Sequence, residues 1–263
     1  MNLNEPPSKS IEVSTPDSAH KHQNRSNKLF IVIALICFAA ASVAIAVHFL
    51  SGQPVNAVVE SVPSSTAAAT DNAISDKLIV LDAGHGGFDP GTLGVTGTEE
   101  DGINLLVANH LKDLLESYGA KVIMTRTDEN AIADTKDADM AKRRQIITDS
   151  GSDIVVSIHM NAFSDSSVSG PLVIFMQGSS KGEKLAKSIQ QNLLDILKPK
   201  QQNSARSGDL YILRSGLQPC VIVECGYLSN EEEEQLLLQD DYQKKVADAI
   251  CSGINQYFQT IKE

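Results

Sequence analysis

The first long apolar run occupies residues 29–47, LFIVIALICFAAASVAIAV, and contains no charge. At about 1.5 Å of rise per helical residue, it matches the roughly 30 Å hydrocarbon thickness of a bilayer. We therefore expect a transmembrane helix over 29–50, acting as an uncleaved single-pass signal anchor. Residues 1–28 before it are polar and Pro-containing and read as a disordered tail. Residues 51–76 after it are rich in Ser, Ala and Pro and read as a linker. Lys21, Arg25 and Lys28 precede the run, and no basic residue follows until Lys77. The positive-inside rule then puts the tail in the cytoplasm and the working domain, 77–263, outside the cell membrane. A cleaved signal peptide is the alternative, and it would release the same domain.

Beyond the linker the pattern changes to short apolar runs alternating with segments of helical period. KLIVLD (77–82), AKVIMT (120–125), DIVVSI (153–158), PLVIFM (171–176), LYIL (210–213) and CVIVE (220–224) read as strands. Helices are expected over 103–118, 138–149, 181–197, 231–238 and 241–258. This βαβ alternation implies one α/β domain of three αβα layers, with a mainly parallel central sheet buried on both faces. Thr98 with Asp101, and Ser229 with Glu232, have the spacing of capping boxes, so the acidic run at 231–234 reads as a helix start.

Charge and cysteine usage narrow the function. The formal net charge is −11, and acidic residues outnumber basic ones in the working domain too, so no nucleic-acid partner is expected. Cys220, Cys225 and Cys251 are an odd set for a disulfide framework. Cys220 and Cys225 are five residues apart on one expected strand and therefore face opposite ways. They read as buried apolar residues.

Three histidines belong to this domain. His85 stands in LDAGHGGFDPG and His159 in VSIHMNA, each just past a parallel strand, where active sites of open α/β sheets gather. The glycines around His85 permit a tight turn that projects its ring. His110 falls at the edge of a helical apolar stripe and reads as structural. Two imidazoles and one carboxylate make a hydrolytic zinc site with a position left for water. Glu99 and Glu100 are both near, but at about 100° per residue Glu100 projects toward the stripe of the first helix and Glu99 away from it. Glu224 closes a very apolar strand, an expensive place for an acid unless it has a functional role. A competing arrangement uses Cys225 as nucleophile with His159 as base, although Cys225 and Glu224 cannot both face one cleft.

In this order and spacing, IVLDAGHGGFDPG, the inward Glu before INL, TRTD, VSIHMNA and VIVECGYLSNEEEEQLL closely resemble the zinc-dependent N-acetylmuramoyl-L-alanine amidases of the Amidase_3 family, across about residues 77–258. The resemblance implies one Zn²⁺ per chain held by His85, Glu100 and His159, with Glu224 as the catalytic acid and base. The implied substrate is peptidoglycan, cut at the amide between the lactyl group of N-acetylmuramic acid and L-alanine. The chain departs from the family at Ala83, where proline is usual, at Gly102 in the first helical turn, and at Cys225. No long insertion follows His159, so an autoinhibitory helix there is not expected. The single anchor and the VIMTRTDE neighbourhood look like the sporulation and germination branch, which acts on spore cortex and for which an activating lipoprotein is an implied partner. A catalytically silent wall-binding or activator protein of the same fold is the alternative function, and a zinc peptidase or deacetylase the rival chemistry.

Overall fold

The computed structural model describes residues 72–262, so the tail, the apolar run at 29–50 and residues 51–71 of the linker lie outside it. Among the described residues, no helix is long and apolar enough to cross a membrane. The described residues form six strands: β1 (Leu78–Ala83), β2 (Lys121–Met124), β3 (Ile154–Asn161), β4 (Leu172–Met176), β5 (Arg206–Gly208) and β6 (Cys220–Tyr227). They form one sheet in the order β2-β1-β3-β6-β4-β5, and every pairing is parallel except β4 against β6. Among the described residues, five α-helices flank it: α1 (Glu100–Ser117), α2 (Lys136–Asp149), α3 (Ser180–Leu197), α4 (Glu231–Leu237) and α5 (Asp240–Thr260). The expected three-layer α/β architecture with a mainly parallel sheet is the one observed.

Strand alternation divides the interior into two cores. Leu81, Val156, Val223 and Cys225 join apolar residues of α1, α3 and α5 in the larger one. Val80, Val155, Cys220 and Ile222 join Ile147 of α2 and Ile212 and Leu213 in the smaller one. Cys220 and Cys225 thus lie on opposite faces of β6, as their odd spacing requires.

Three local expectations need correction. LYIL is not a strand: Ile212–Arg214 is a 3₁₀ turn, and the edge strand is Arg206–Gly208. The reason is that consecutive Ile212 and Leu213 are both buried in the smaller core, whereas a strand would have turned one of them outward. Neither capping box forms. At α1 the cap position is Glu99 with no side-chain bond, and the Glu100 and Asp101 amides donate to the loop carbonyls of Thr92 and Pro90. At α4 the cap is Asn230, which accepts from the Glu233 amide at 3.1 Å, because Ser229 is engaged by the Phe163 amide. The packed body also begins before Lys77, since Ala73 and Ile74 are buried in the larger core and the Ala73 amide donates to Asn255 Oδ1. Two apolar residues are too short a run to show a period.

Helices α3 and α5 meet at Gly253, where an added Cβ would lie 2.5 Å from the Ile189 Cα. Alanine normally stabilises a helix relative to glycine by about 1 kcal/mol. Here the sign should reverse: Gly253→Ala is expected to cost about 1–3 kcal/mol through overpacking. Urea denaturation of the two proteins checks this, and a gain in stability would refute the close approach.

Candidate metal centre and active site

The turn after β1 positions the first imidazole. His85 has φ +61°, a left-handed conformation that costs a non-glycine residue about 1–2 kcal/mol. Buried side chains hold it there by binding the carbonyls of the turn. Arg126 Nε donates to Ala83 O at 2.9 Å and its Nη2 to Gly84 O at 3.0 Å. Arg143 donates to Ala83 O at 2.6 Å and His85 O at 2.5 Å. Asn104 of α1 donates to Gly84 O at 3.1 Å. Gly84 has to lack a side chain because its Cβ would overlap the His159 ring.

Glu100 enters from the first turn of α1 and is 2% exposed, while Glu99 is exposed and away from the cluster. Glycine again makes the room: a Cβ on Gly91 would lie 2.6 Å from Glu100 Oε2. Oε2 accepts from the Thr92 amide at 2.8 Å, and Oε1 accepts from the Met160 amide at 3.0 Å and from Asn104 at 3.2 Å. The same Oε1 lies 3.0 Å from His159 Nδ1 and 3.4 Å from His85 Nε2. Burial opposes ionisation of Glu100, but bonds to His159 and His85 and their charges outweigh it and hold its pKa far below the carboxylate range. The other His85 nitrogen, Nδ1, lies 3.0 Å from Asp89 Oδ2, and Asp89 also pairs with Lys136 at 3.1 Å. Asp89 thus occupies the place beside the ring that an outer carboxylate takes at metal-binding histidines.

His85, Glu100 and His159 each offer one donor atom, and all three atoms lie within 4.8 Å of one another. Two neutral imidazoles and a carboxylate converging in this way suit one zinc ion. The donor set therefore fits the group implied by the motifs. The site adjoins a cleft of 270 Å³ lined by His85, His159 and Glu224, and on its outer wall by Phe88, Leu210 and Tyr211.

The parallel register of β3 and β6 sets Glu224 directly beside His159. Its Oε2 is shielded from solvent and has no hydrogen-bond partner. Burial pushes the Glu224 pKa up, helped by the negative charge of Glu100 and opposed by His159, His85 and Arg206. Cys225, next on the strand, is fully buried in the larger core, and desolvation raises its thiol well above the usual range. This overturns the thiol-nucleophile arrangement, because an attacking cysteine must be accessible and readily ionised. His110 stays outside the cluster, 3.0 Å from Asp240 of α5.

Asp82, Arg143 and Asn104 escaped the sequence reading. The signal at Asp82 was present, since it is an acid inside an apolar strand just as Glu224 is. Asp82 accepts from Thr125 at 2.7 Å, Ser157 at 2.6 Å and Arg143 at 2.9 Å. Arg143 Nε donates in turn to Asp139 at 2.5 Å.

A His-Glu-His donor set at the carboxyl ends of parallel strands, with a spare carboxyl in the adjoining cleft, defines the kind of site found in metal-dependent hydrolases. Comparison with known proteins makes this specific. Residues 79–256 match the Amidase_3 family model, N-acetylmuramoyl-L-alanine amidase, and the chain belongs to that family. It is 35% identical over 193 residues to the germination-specific N-acetylmuramoyl-L-alanine amidase of Bacillus subtilis, covering 70% of this chain and 81% of the relative. The solved CwlD amidase of Clostridioides difficile, in complex with the GerS lipoprotein, is similar with a TM-score of 0.67 and 36% identity, over 70% of this chain and all of that one. The catalytic domain of CwlV from Bacillus (Paenibacillus) polymyxa is similar at a TM-score of 0.64 and 28% identity, over 70% of this chain and 98% of that one.

The buried pair Arg143 and Asp82 generates a prediction. Arg143→Met should cost about 3–5 kcal/mol at neutral pH by leaving a buried carboxylate unpaired. Burial raises the Asp82 pKa, but Arg143, Ser157, Thr125 and His159 together lower it below 3.8. A depressed folded pKa contributes stability that is complete above the unfolded value and lost as pH falls through the folded one. In the variant, protonation of Asp82 relieves the unpaired charge instead, so the gap in urea midpoint should narrow as pH falls. A gap that widens would count against the pairing.

Proposed function

We propose that this chain hydrolyses peptidoglycan at the amide between the lactyl group of N-acetylmuramic acid and the L-alanine of the stem peptide. One observation carries the mechanism: Glu224, whose Oε2 has no hydrogen-bond partner, lines the same cleft as His85 and His159, beside the donor cluster. His85, Glu100 and His159 hold a single zinc ion in this reading. Bound there, zinc supplies a Lewis acid for the scissile carbonyl and acidifies the attacking water.

The chain's own groups do the rest. The Glu224 carboxylate accepts the water proton and delivers it to the departing alanine nitrogen, so that cleavage leaves a lactyl carboxylate and a free amino terminus. Its raised pKa brings the carboxyl nearer to working pH, which suits a group that must both take and give a proton. Arg126, Arg143 and Asn104 keep the His85 turn in place during this exchange. The apolar outer wall of the cleft, with Phe88 52% and Tyr211 41% exposed, offers flat surface to the substrate.

The biological setting we infer is the maturation of spore cortex. The support is the likeness to the germination-specific amidase of Bacillus subtilis and to the Clostridioides difficile CwlD amidase. The latter was solved with the GerS lipoprotein, which supports an activating lipoprotein as a partner of this chain as well. The apolar run at 29–50 supports tethering of the domain outside the membrane, where that substrate lies.

Glu224→Gln tests the central claim. The variant should fold and retain about one zinc per chain, measured by elemental analysis. Release of stem peptides with a free alanine amino terminus from muropeptides should fall by about 10²–10⁴-fold. Undiminished cleavage would refute the role of Glu224. Release of free amino acids or acetate by the wild type would instead favour the peptidase or deacetylase chemistry, and biological activity that survives Glu224→Gln would favour the silent binding protein.

A further inference from the structure

The acidic run at the start of α4 does more than begin a helix. Two of its members, Glu233 and Glu234, are buried, which is unusual for carboxylates at a helix start. Glu234 is completely buried and reaches back to the loop that delivers Glu100. Its two carboxylate oxygens each accept from the Thr96 amide at 3.1 Å, and Oε1 also accepts from the Thr96 hydroxyl at 2.8 Å. The fit leaves no space for a side chain at Gly94, whose Cβ would overlap Glu234 Oε1. Burial by itself would raise the Glu234 pKa, yet bonds from Thr98 and Thr96 outweigh it and hold the carboxyl below its usual range.

The loop in question connects that anchor to the metal cluster by an unbroken set of bonds. The Gly94 amide donates to Thr98 O at 2.8 Å, and Leu93 bridges Glu99. The Val95 amide donates to Leu228 O at 3.2 Å, in the turn between β6 and α4. The Glu100 amide donates to Thr92 O at 3.1 Å, while the Thr92 amide donates to Glu100 Oε2 at 2.8 Å. Thr96 and the Glu100 carboxylate are thus joined by a short series of hydrogen bonds within one loop.

Taking the His85, Glu100 and His159 metal site as read above, we propose that Glu234 is a positioning residue: it latches the 91–99 loop onto α4 and thereby sets the Glu100 carboxylate for metal binding. Glu233 supplies the internal comparison. It is buried on the same helix, but it accepts from the amides of Tyr227 at 2.9 Å and Gly170 at 2.8 Å instead of from the loop. Loss of Glu233 should loosen the fold without releasing Glu100.

The experiment compares full-length wild type with Glu234→Gln, Thr96→Val and Glu233→Gln. Hydrogen exchange of the 91–99 segment, measured without metal, should quicken in Glu234→Gln and less so in Thr96→Val, which keeps the backbone amide. It should stay unchanged in Glu233→Gln. Zinc affinity, measured by competition with a chromophoric chelator, should weaken by about tenfold in Glu234→Gln, the scale typical of losing an outer support of a ligand. Unchanged loop exchange in Glu234→Gln, equal quickening in both glutamate variants, or a mobile loop with unaltered zinc affinity would each overturn the latch. Failure of wild type to take up zinc would count against the metal reading, and the exchange result would still decide whether Glu234 holds the loop.

Discussion

The buried pairing of Arg143 with Asp82 is the constraint on which the site depends. Both groups have left water, and such a pair persists only where geometry is good and the remaining polar atoms are satisfied. Thr125 and Ser157 complete the shell of Asp82, and Asp139 completes that of Arg143. With its charge balanced, the guanidinium still has donors left for Ala83 O and His85 O, and these hold His85 in a backbone conformation it would otherwise leave. Stability is thus spent on orienting one imidazole. The same residues tie β1, β3, α2 and the residue after β2 together beneath the metal-facing turn.

Four separate stretches of chain meet at this point. His85 comes from the end of β1, Glu100 from the first turn of α1, His159 from β3 and Glu224 from β6. Parallel pairing makes the last two neighbours without any special contact, since the register that pairs Val155 with Cys220 also pairs His159 with Glu224. Only Glu100 arrives from a loop and helix outside the sheet, and it is the donor with the densest set of supports. Thr92, Met160 and Asn104 all donate to it. This division fits a hydrolytic centre in which the donors stay fixed while Glu224, left without a hydrogen-bond partner on Oε2, is free to exchange a proton.

Much of this was legible along the chain because it rests on local period. Alternation marked the strands, a 100° step separated Glu100 from Glu99, and the motif order pointed to the amidase family that the whole-domain comparison then established. Local rules failed where a residue had a better partner far away. Ser229 has cap spacing but accepts from the Phe163 amide, and the Thr98 hydroxyl lies 3.3 Å from that of Thr96 instead of closing a capping box. Ile212 and Leu213 have the composition of a strand, yet both plug one core. The acids at 231–234 do begin a helix, as read, but the burial of Glu233 and Glu234 had no local signal because the loops they bond lie 63 and 138 residues away at their most distant bonds.

By itself, then, the sequence determined the helices and all but the edge strand, the side each central strand presents, and the residue types able to hold a metal and move a proton. These follow from spacing, which is fixed by covalent geometry and the periods of helix and strand. Only the tertiary structure decided that His85 adopts a left-handed turn and that Arg126, Arg143 and Asn104 keep it there. Those outcomes depend on partners distant in sequence, chosen by which buried donor or acceptor would otherwise be left unsatisfied, and no local pattern encodes that choice.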